Sequence, residues 1–569
     1  MENVKRLPSV EKPWMQFFSE KAQKAEVPKE TIYEAIVRRN KGFENNVAMN
    51  YFDRKITYRE LIDQSNNAAA AFESLGVKKG DIVACATVTF PEPVYSLYGL
   101  NKLGATIITL DPRLTAEQMK EFIDRSGAKI LLLVDLFYDK LKDDLQKMGL
   151  EQIIIISADT SLPKAIKFVK QFKMPAPKIK EEGNVITWNT FAKNGTTDPE
   201  ASYTAAYGEN DCAAITLTGG TTGMPKGVML SHDGFNAIAT SFENCGVSYT
   251  RDQRFLNIIP MFSSYGIVSS LHMPFCLGLE DVIIPKFDQE KVGHYVKKYR
   301  PAHTLMVPAH YEKLMNSKEM ANGFDLSFFE TAGSGGDTMN AGTEAKLNGF
   351  LKDHGSRFPL SQGYGMSEVS SAGSCYCNGN FRSLSVGYPL LMNTISIFKP
   401  ETTEEVGYNV ECEICMTGPS NMLGYLNDPK ETDNVMIQHP DGKVWIHSGD
   451  IGYMDEDGYL YIKGRIKRMI TPFNGHKIFP AQIEGLIGRH EAVKSCAVVG
   501  VKDFDHVQGE WPVAYVELKE NKSPETVIEE LKAMYVAELD DLARPVDTIV
   551  IDEMPREGMG KIAYKKLSE

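Results

Sequence analysis

The sequence predicts an α/β protein with a large N-terminal domain of mainly parallel sheets flanked by helices, followed by a small α+β domain. Three observations lead to this prediction. The chain has 569 residues, more than the roughly 250–300 that one hydrophobic core serves. Short apolar segments alternate with helical patterns over the first three-quarters. The pattern then changes near Arg468. We therefore predict domains at 1–466 and 467–569.

The predicted strands of the first domain are short, apolar and separated by segments with helical periodicity. Because such alternation is typical of βαβ units, we expect the strands to lie mostly parallel. The strands are Asp81–Thr87, Lys129–Asp135, Gln152–Ser157, Ala213–Thr218 and His303–Val307, and the clearest helices are Thr115–Ser126 and Tyr138–Met148.

The last hundred residues show a β-β-α-β pattern. The strand-like segments Val493–Val501 and Pro512–Leu518 come first. Ser523 and Pro524 then form a helix start, with an N-cap residue followed by proline at the first helical position. A further strand, Thr548–Asp552, follows that helix. This pattern predicts a separate α+β domain.

Composition narrows the function classes. Lys and Arg total 62 and Asp and Glu total 75, so the net charge is 62 − 75 = −13, which argues against a protein that covers nucleic-acid backbone. No apolar run approaches the roughly 20 residues of a membrane-spanning helix, and the N-terminus lacks a signal-peptide core. With 9 cysteines, an odd number, we expect reduced thiols and a cytoplasmic location.

Two cysteine pairs leave two interpretations open. Cys412 and Cys415 form a C-x-x-C motif, and Cys375 and Cys377 form a C-x-C motif. A four-thiolate zinc site is one interpretation. The favoured one is that residues 411–416 form a short, half-buried strand, because no histidine or third pair flanks them.

A basic amphipathic segment at 164–173 also has two interpretations. It could rest on an anionic membrane surface, or it could pack its apolar face on the domain, which is the commoner arrangement. Its lysines are Lys164, Lys167, Lys170 and Lys173, and its apolar residues are Ala165, Ile166, Phe168, Val169 and Phe172.

The most informative segment is a glycine- and threonine-rich loop after the strand that ends near Thr218. Glycines let several backbone N–H groups converge on one anion, and threonine hydroxyls and a lysine add donors and charge. The loop is not of the Walker type, because Pro225 and Gly227 flank its lysine. The predicted phosphate-binding residues in it are Thr218, Gly219, Gly220, Thr221, Thr222, Gly223 and Lys226.

This loop, TGGTTGMPKGV, resembles the signature of the adenylate-forming enzymes, which include acyl- and aryl-CoA synthetases. Further matches follow in the family's order. Residues 362–368, QGYGMSE, resemble a motif in which Tyr364 would lie against adenine, Ser367 would contact the α-phosphate and Glu368 would hold Mg²⁺. A carboxylate oxygen is a hard ligand suited to that ion. Ser334, Gly335 and Gly336 resemble the adenine-side turn.

The remaining matches lie near the predicted domain boundary and the C-terminus. In HSGD, Asp450 would accept hydrogen bonds from the ribose hydroxyls. In GRIKR, Arg465 would lie near the ribose and Lys467 would be the hinge. PREGMGK ends in Lys561, the expected catalytic lysine, which acts with Thr222 and Glu368.

The resemblance implies an ATP-dependent acyl-CoA synthetase that uses Mg²⁺ and takes coenzyme A as co-substrate. The expected acid is a medium- or long-chain fatty acid. The small domain would rotate about Lys467 between the two steps, withdrawing Lys561 and presenting the loop with Asn474 and Gly475 to the thiol tunnel. Two alternatives remain open: an acyl-AMP ligase or free-standing adenylation enzyme that loads a carrier protein, and a non-catalytic nucleotide-binding relative.

Some positions depart from the family's pattern. Gly219 stands where serine is usual, which removes one hydroxyl donor from the loop. Ser263 stands where an aromatic residue or histidine commonly gates the acyl pocket beside the thiol tunnel. The sequence leaves the chain length of the acid and the choice between monomer and homodimer open.

Overall fold

The computed structural model describes residues 6–173, 177–218, 225–337, 339–377, 379–474, 476–503, 509–519, 523–557 and 561–568. Positions 171–173, 557 and 561 are described by their backbone only. In chain order the strands are β1 (Val47–Tyr51), β2 (Arg54–Thr57), β3 (Ile82–Ala86), β4 (Thr106–Leu110), β5 (Ile130–Val134), β6 (Gln152–Ile156), β7 (Val185–Thr187), β8 (Cys212–Leu217), β9 (Gly227–Ser231), β10 (Arg254–Asn257), β11 (Glu280–Ile283), β12 (His303–Met306), β13 (Thr331–Ser334), β14 (Ser361–Tyr364), β15 (Ser374–Cys375), β16 (Tyr388–Pro389), β17 (Thr394–Phe398), β18 (Cys412–Thr417), β19 (Gly424–Tyr425), β20 (Met436–Gln438), β21 (Val444–Met454), β22 (Leu460–Arg465), β23 (Val493–Lys502), β24 (Glu510–Leu518), β25 (Asp547–Ile551), β26 (Arg556–Glu557) and β27 (Lys561–Ile562).

The α-helices are α1 (Pro8–Glu11), α2 (Ile32–Arg39), α3 (Tyr58–Ser74), α4 (Pro91–Lys102), α5 (Ala116–Ser126), α6 (Tyr138–Leu145), α7 (Lys164–Lys173), α8 (Trp188–Ala192), α9 (His232–Glu243), α10 (Met273–Leu277), α11 (Val292–Tyr299), α12 (Pro308–Met315), α13 (Ala341–Asp353), α14 (Pro429–Val435), α15 (Pro480–Ile487), α16 (Pro524–Glu538) and α17 (Lys565–Ser568). A π-helix spans Tyr265–His272, and short 3₁₀ helices span Pro13–Phe17, Ala22–Lys24, Asp135–Phe137, Pro199–Ala201, Gln289–Lys291, Ser367–Val369, Ile466–Arg468 and Asp541–Ala543.

Two large sheets with mainly parallel strands form the N-terminal domain. The nine-stranded sheet has the order β16-β15-β14-β13-β12-β10-β11-β1-β2, and the eight-stranded sheet has the order β19-β9-β8-β4-β3-β5-β6-β7. Central strands such as β4 and β5 are buried along their whole length, as expected where helices cover both faces of a sheet. Antiparallel pairs occur at the sheet edges, for example β8 with β9 and β14 with β15. The predicted fold class is confirmed.

A third sheet, antiparallel, was missed by the sequence reasoning. It has the order β17-β18-β21-β20, with β22 paired to β21. Between its strands lies one short helix, α14, and no regular alternation of strands and helices, so the pattern that revealed the first two sheets gives little signal here. The sheet matters because β21 and β22 carry Asp450 and Arg465 side by side.

The C-terminal part contains a three-stranded sheet, β23-β24-β25, and the two-stranded hairpin β26-β27. Helix α16 lies between β24 and β25, which run parallel, as a crossover connection requires. A separate hydrophobic cluster that includes Ile483, Val498 and Leu531 supports this part of the chain. The boundary at residue 466 remains a prediction, and it falls directly after β22.

The structure favours the strand interpretation of the C-x-x-C motif, since Cys412 and Cys415 lie in β18. Cys375 and Cys377 belong to a different sheet region, where their sulfur atoms are 3.5 Å apart. All nine cysteines are outside disulfides. Within the described ranges, no helix has both the length and the apolar content that crossing a membrane requires.

Candidate active site

Apart from Asn474 and Lys561, the predicted site residues that the structure describes line one cleft at the carboxyl ends of the parallel strands. Strand β8 leads into the glycine-threonine loop, β13 ends at Ser334, and β14 ends at Tyr364. In parallel α/β sheets, ligands bind beside these strand ends, because the connecting loops diverge there. The cleft has a volume of about 3960 Å³, and residues of both domains line it.

The base of the glycine-threonine loop is closed by two hydrogen bonds between Thr218 and Lys226. The Thr218 N–H donates to the Lys226 carbonyl oxygen at 2.9 Å, and the Lys226 N–H donates to Thr218 Oγ1 at 3.1 Å. These bonds extend the β8–β9 hairpin to the loop ends and fix where Lys226 leaves the sheet. Gly219, Gly220, Thr221, Thr222 and Gly223 lie outside the described residues.

The Lys226 ammonium group is held between two side chains that the sequence reasoning did not identify. It forms an ion pair with Glu431 and lies 4.6 Å from the centroid of the Tyr425 ring. The Lys226 contact holds the pKa of the Glu431 carboxyl below its ordinary value. The Tyr425 hydroxyl donates to Glu368 Oε1 at 2.7 Å. Glu431, Lys226, Tyr425 and Glu368 therefore form one continuous chain of contacts.

Glu368 is the predicted metal ligand, and the structure buries it at the cleft. It lies in the 3₁₀ turn Ser367–Val369 with about 7% exposure. The preceding Ser367 hydroxyl is 2.9 Å from the Ser264 hydroxyl. A buried carboxylate requires partners or a cation to offset its desolvation. Within the described residues, the hydrogen bond from Tyr425 is the one that the Glu368 carboxylate accepts, which leaves lone pairs available for a divalent cation.

Tyr364, Asp450 and Arg465 meet at the other end of the cleft. Tyr364 Oη donates to Asp450 Oδ2 at 2.6 Å, and Arg465 Nε lies 2.9 Å from Asp450 Oδ1 in an ion pair. Burial raises the pKa of the Asp450 carboxyl, although the charge of Arg465 and the hydrogen bond from Tyr364 act in the opposite direction. A carboxylate so placed can accept hydrogen bonds from a diol such as ribose.

The turn after β13 has the features of a ligand cradle. Ser334 is buried, and its hydroxyl oxygen has no partner within the described residues. A Cβ atom on Gly335 would lie 3.4 Å from the Gly363 carbonyl oxygen and 3.6 Å from Tyr265 Oη, so a side chain there would narrow the gap. Gly336 has a φ of +79°, which favours glycine. An adenine ring fits such a narrow, polar-edged space.

Ser263 lines the cleft, but its side chain is used locally. Its hydroxyl donates to the Pro260 carbonyl oxygen at 3.0 Å and accepts from the Gly266 N–H at 3.1 Å. It thereby fixes the turn that starts the π-helix. Asn474, the other described residue of the expected thiol tunnel, accepts from the His476 N–H in an exposed loop and is not among the described residues that line the cleft. Gly475 lies outside the described residues.

The C-terminal domain contacts the cleft close to Lys467. The Arg468 guanidinium lies 3.5 Å from the Tyr564 ring centroid and 2.6 Å from Glu484 Oε1. Tyr564 follows the hairpin strand that begins with Lys561. Burial raises the pKa of the Tyr564 phenol, and the charge of Asp337, next to the adenine-side turn, adds to this shift. Ile562 and Tyr564, next to Lys561 in the chain, line the same cleft as Gly335 of the SGG turn.

A buried hydrogen-bonded chain supports the HSGD segment from behind. Glu413 Oε2 lies 2.9 Å from His447 Nδ1, Glu413 Oε1 accepts from the Gly449 N–H at 2.9 Å, and His439 Nε2 lies 2.9 Å from His447 Nε2. Within the described ranges, Glu413, Cys415 and His447 form the one group of three metal-ligating side chains in mutual reach. Both carboxylate oxygens of Glu413 already have partners, one of them the Gly449 N–H next to Asp450. We therefore infer that Glu413 and His447 hold the backbone that positions Asp450.

Taken together, the described residues fit a nucleoside triphosphate with a divalent cation. Glu368 offers a buried carboxylate, Lys226 a cation beside the glycine-threonine loop, Asp450 a diol acceptor, and Ser334 with Gly335 an unfilled cradle. Tyr425 and Glu431 were missed because they lie far from Lys226 in sequence. The GY dipeptide and the Asp428–Pro429 helix start near them were the available signals.

Comparison with known proteins supports this assignment. A family model described as AMP-binding enzyme matches residues 36–426, and one described as AMP-binding enzyme C-terminal domain matches residues 482–561. A long-chain-fatty-acid–CoA ligase from Bacillus subtilis is 29% identical over 573 residues, covering 98% of each chain. A probable 4-coumarate–CoA ligase 1 from Dictyostelium discoideum is 28% identical over 534 residues, covering 90% of this chain and 91% of that one.

Solved structures show the same fold. The ATP-bound MatB protein from Rhodopseudomonas palustris has a TM-score of 0.80 at 22% identity, covering 94% of this chain and 98% of that one. The o-succinylbenzoate coenzyme A synthetase MenE from Bacillus subtilis, in complex with ATP and magnesium ion, has a TM-score of 0.73 at 24% identity with the same coverage.

Proposed function

The chain belongs to the AMP-binding enzyme family, whose acyl-CoA ligases form acyl-adenylates, and we propose that it is an ATP-dependent synthetase for a medium- or long-chain fatty acid. The reaction is carboxylic acid + ATP + coenzyme A → acyl-CoA + AMP + pyrophosphate. One observation carries the proposal: Lys226, Glu368 and the Tyr364–Asp450 pair line the same cleft, each at the place where one part of ATP would need it.

In the first step, a carboxylate oxygen of the acid attacks the α-phosphorus of ATP, and the bond to pyrophosphate breaks. Negative charge grows on the α-phosphate oxygens and on the leaving group, so cations fixed there lower the barrier. We assign Lys226 and the donors of residues 218–223 to the phosphates, and Ser367 to the α-phosphate. Lys561, on the hairpin whose Ile562 lines the same cleft, is the proposed bridge between carboxylate and phosphate.

We propose that a second group of cleft residues binds the adenosine part of ATP. Asp450 would accept the ribose hydroxyls with Arg465 beside it, and Tyr364 would lie against adenine in the Ser334–Gly336 turn. Glu368 is the proposed Mg²⁺ ligand, and that ion, when bound, would offset phosphate charge. The Tyr425 hydrogen bond fixes the orientation of this carboxylate.

In the second step, the thiol of coenzyme A attacks the acyl carbonyl and AMP leaves. We propose that the small domain rotates about Lys467 before this step, because Asn474 lies in an exposed loop outside the cleft lining. The rotation would carry the loop with Asn474 and Gly475 to the thiol's path. A closed domain also keeps water from the mixed anhydride.

Two observations support a fatty acid. The relative from Bacillus subtilis that spans 98% of the chain is named for long-chain fatty acids. Apolar side chains also line the cleft, among them Val247, Phe255, Ile258 and Leu305. The 4-coumarate relatives make an aryl acid the competing candidate. We also place the enzyme in the cytoplasm, which supplies ATP and coenzyme A and keeps thiols reduced, in agreement with nine unpaired cysteines.

A panel of carboxylic acids, read by hydroxamate trapping, tests the proposal. Saturated fatty acids of increasing length should give acyl-hydroxamate with ATP and Mg²⁺, and addition of coenzyme A should divert the product to thioester. Hydroxamate from aryl acids alone would overturn the fatty-acid assignment. AMP release with a phosphopantetheinylated carrier protein but not with coenzyme A would favour a carrier-loading enzyme. Nucleotide binding without carboxylate-dependent pyrophosphate exchange would identify a non-catalytic relative.

A further inference from the structure

Helix α7 turns its apolar residues toward solvent. The commoner expectation for such a segment, an apolar face packed on the domain, is therefore wrong. Ile166 is 39% exposed, Phe168 is 62% exposed and Val169 is 52% exposed, and Ala165 beside them is also exposed. Because a helix turns about 100° per residue, positions 165, 168 and 169 share one face, and Ile166 lies at its margin.

The opposite side of α7 is attached to the domain by charge. Lys170 forms an ion pair with Asp159, whose side chain is about 14% exposed. Lys167 lies close enough to the buried Glu92 for its charge to lower the pKa of that carboxyl against the effect of burial. The charged side thus fixes the orientation of the helix, and this orientation exposes the apolar face.

The surroundings of this face are strongly basic. Residues 164–180 contain six lysines and no acidic residue, in a chain whose net charge is −13; the six are Lys164, Lys167, Lys170, Lys173, Lys178 and Lys180. Lys164 and Lys178 are exposed. An apolar face flanked by lysines fits the boundary between acyl chains and anionic headgroups, where long lysine side chains reach the charged layer. A second copy of this acidic chain would match the lysines but would leave the apolar face without a comparable apolar layer.

The face lies next to one side of the cleft. Val134 of β5 pairs with Ile156 of β6. Residues 135–137 and the turn with Asp159, which pairs with Lys170 of α7, therefore leave the sheet side by side. Leu136 is 68% exposed, and Leu136 and Phe137 line the cleft. A membrane surface in contact with α7 would therefore lie beside the part of the cleft that Leu136 and Phe137 line.

We propose that α7 is a membrane-surface anchor that lays Ala165, Phe168 and Val169 into the interface of a bilayer containing anionic lipids, with Lys164 and Lys178 at the headgroups. The anchoring itself is independent of the proposed function. Its use, the uptake of a membrane-partitioned acid at the Leu136 side of the cleft, rests on the proposed function.

Vesicle co-sedimentation of the full chain tests the anchor. The wild-type protein should bind vesicles of phosphatidylcholine with 30% phosphatidylglycerol at low salt, and should bind pure phosphatidylcholine vesicles at least tenfold more weakly. The double variant Phe168→Asp, Val169→Asp should lose tenfold or more of its affinity. Lys164→Gln and Lys178→Gln should each lose about fivefold. Val536→Asp, at a residue that is 63% exposed on α16, is the matched control and should bind as wild type.

Several outcomes would overturn the anchor: wild-type protein that stays in the supernatant, an aspartate variant that binds as wild type, or binding that ignores lipid charge and salt. Self-association that is lost in the Phe168→Asp, Val169→Asp variant, measured by sedimentation velocity, would instead assign the face to a second copy. Adenylate formation from a short, soluble acid should be unchanged in every variant, so that a failure of the anchor is distinguishable from a failure of the proposed function.

Discussion

The Glu368 carboxylate is buried and accepts a hydrogen bond from Tyr425, with no other donor among the residues that the structure describes. Its remaining lone pairs are the natural place for a divalent cation. Glu368→Gln keeps the size of the side chain but removes the charge. We expect the Mg²⁺ concentration at half-maximal pyrophosphate release to rise at least tenfold, with a lower maximal rate. A metal titration at fixed ATP measures both quantities.

Glu431→Gln is the informative contrast for this variant. Glu431 contacts Lys226 and not the proposed metal ligand, and its pair with Lys226 is about one-third exposed. Such pairs contribute roughly 0–1 kcal/mol. We therefore expect an unchanged Mg²⁺ titration and a KM for ATP that changes by fivefold or less. An unaltered metal titration in Glu368→Gln, or an equal shift in both variants, would contradict the role of Glu368.

Glu92, a buried residue of α4 outside the cleft, leads to a second prediction, about the pH dependence of stability. Burial raises the pKa of Glu92 from its ordinary 4.5 to about 7, although Ser161 donates a hydrogen bond to it. The folded protein therefore holds a proton that the unfolded chain releases between these pH values. The contribution of Glu92 to the free energy of unfolding is therefore fully present below about pH 4.5 and is lost as the pH rises through 7.

Glu92→Gln tests this linkage, because an amide still accepts from Ser161 and does not ionise. The shift corresponds to a destabilisation of the wild type on the order of 3 kcal/mol above pH 7. The melting temperature of the variant should exceed that of the wild type at pH 8, and the difference should vanish near pH 4.5. Thermal melts at these two pH values decide the point. A variant that is less stable at pH 8 would refute the assignment.

The hairpin β26–β27 carries Lys561 at the start of its second strand. Lys561→Ala should lower acyl-adenylate formation by a hundredfold or more, because it removes the charge that we assign to the carboxylate and the α-phosphate. Thioester formation from pre-made acyl-AMP should be nearly unchanged. Rapid-quench measurements of each half-reaction separate the two, with Lys566→Ala, at an exposed residue outside the cleft lining, as a nearby control. Equal losses of rate in both steps would contradict the proposal that Lys561 acts in the adenylation step only.

Elements of the parallel sheets were predictable from sequence, and those of the antiparallel sheet were not. Strands such as β5 and β6 are continuous apolar runs, because helices bury both of their faces, and runs of this kind stand out. Strands β17, β18 and β21 pair antiparallel, and the one helix between them, α14, has seven residues, so no strand–helix alternation marks them. The loop at 218–226 was visible because its composition is unusual, whereas Tyr425 and Glu431 reach Lys226 only through the β9–β19 pairing.

At the scale of the whole molecule, the proposed reaction requires two arrangements of the domains, and the structure offers a way to fix one of them. A Cβ atom on Gly485 of α15 would lie 3.6 Å from the Asn340 Cβ atom, which is within the range that a disulfide spans. Since in this arrangement Ile562 of the Lys561 hairpin lines the same cleft as the SGG turn, the oxidised variant Asn340→Cys, Gly485→Cys should still form acyl-adenylate but should release acyl-CoA at least tenfold more slowly. Reduction of the disulfide should restore the full rate. The Asn340 substitution also removes the N-cap of α13, which should lower the stability of the variant by about 1 kcal/mol. The two single variants under the same oxidant control for the native cysteines. If a preparation with a quantified disulfide released acyl-CoA as fast as the same variant after reduction of the disulfide, both steps would proceed in one domain arrangement. The proposed rotation about Lys467 would then have to be abandoned.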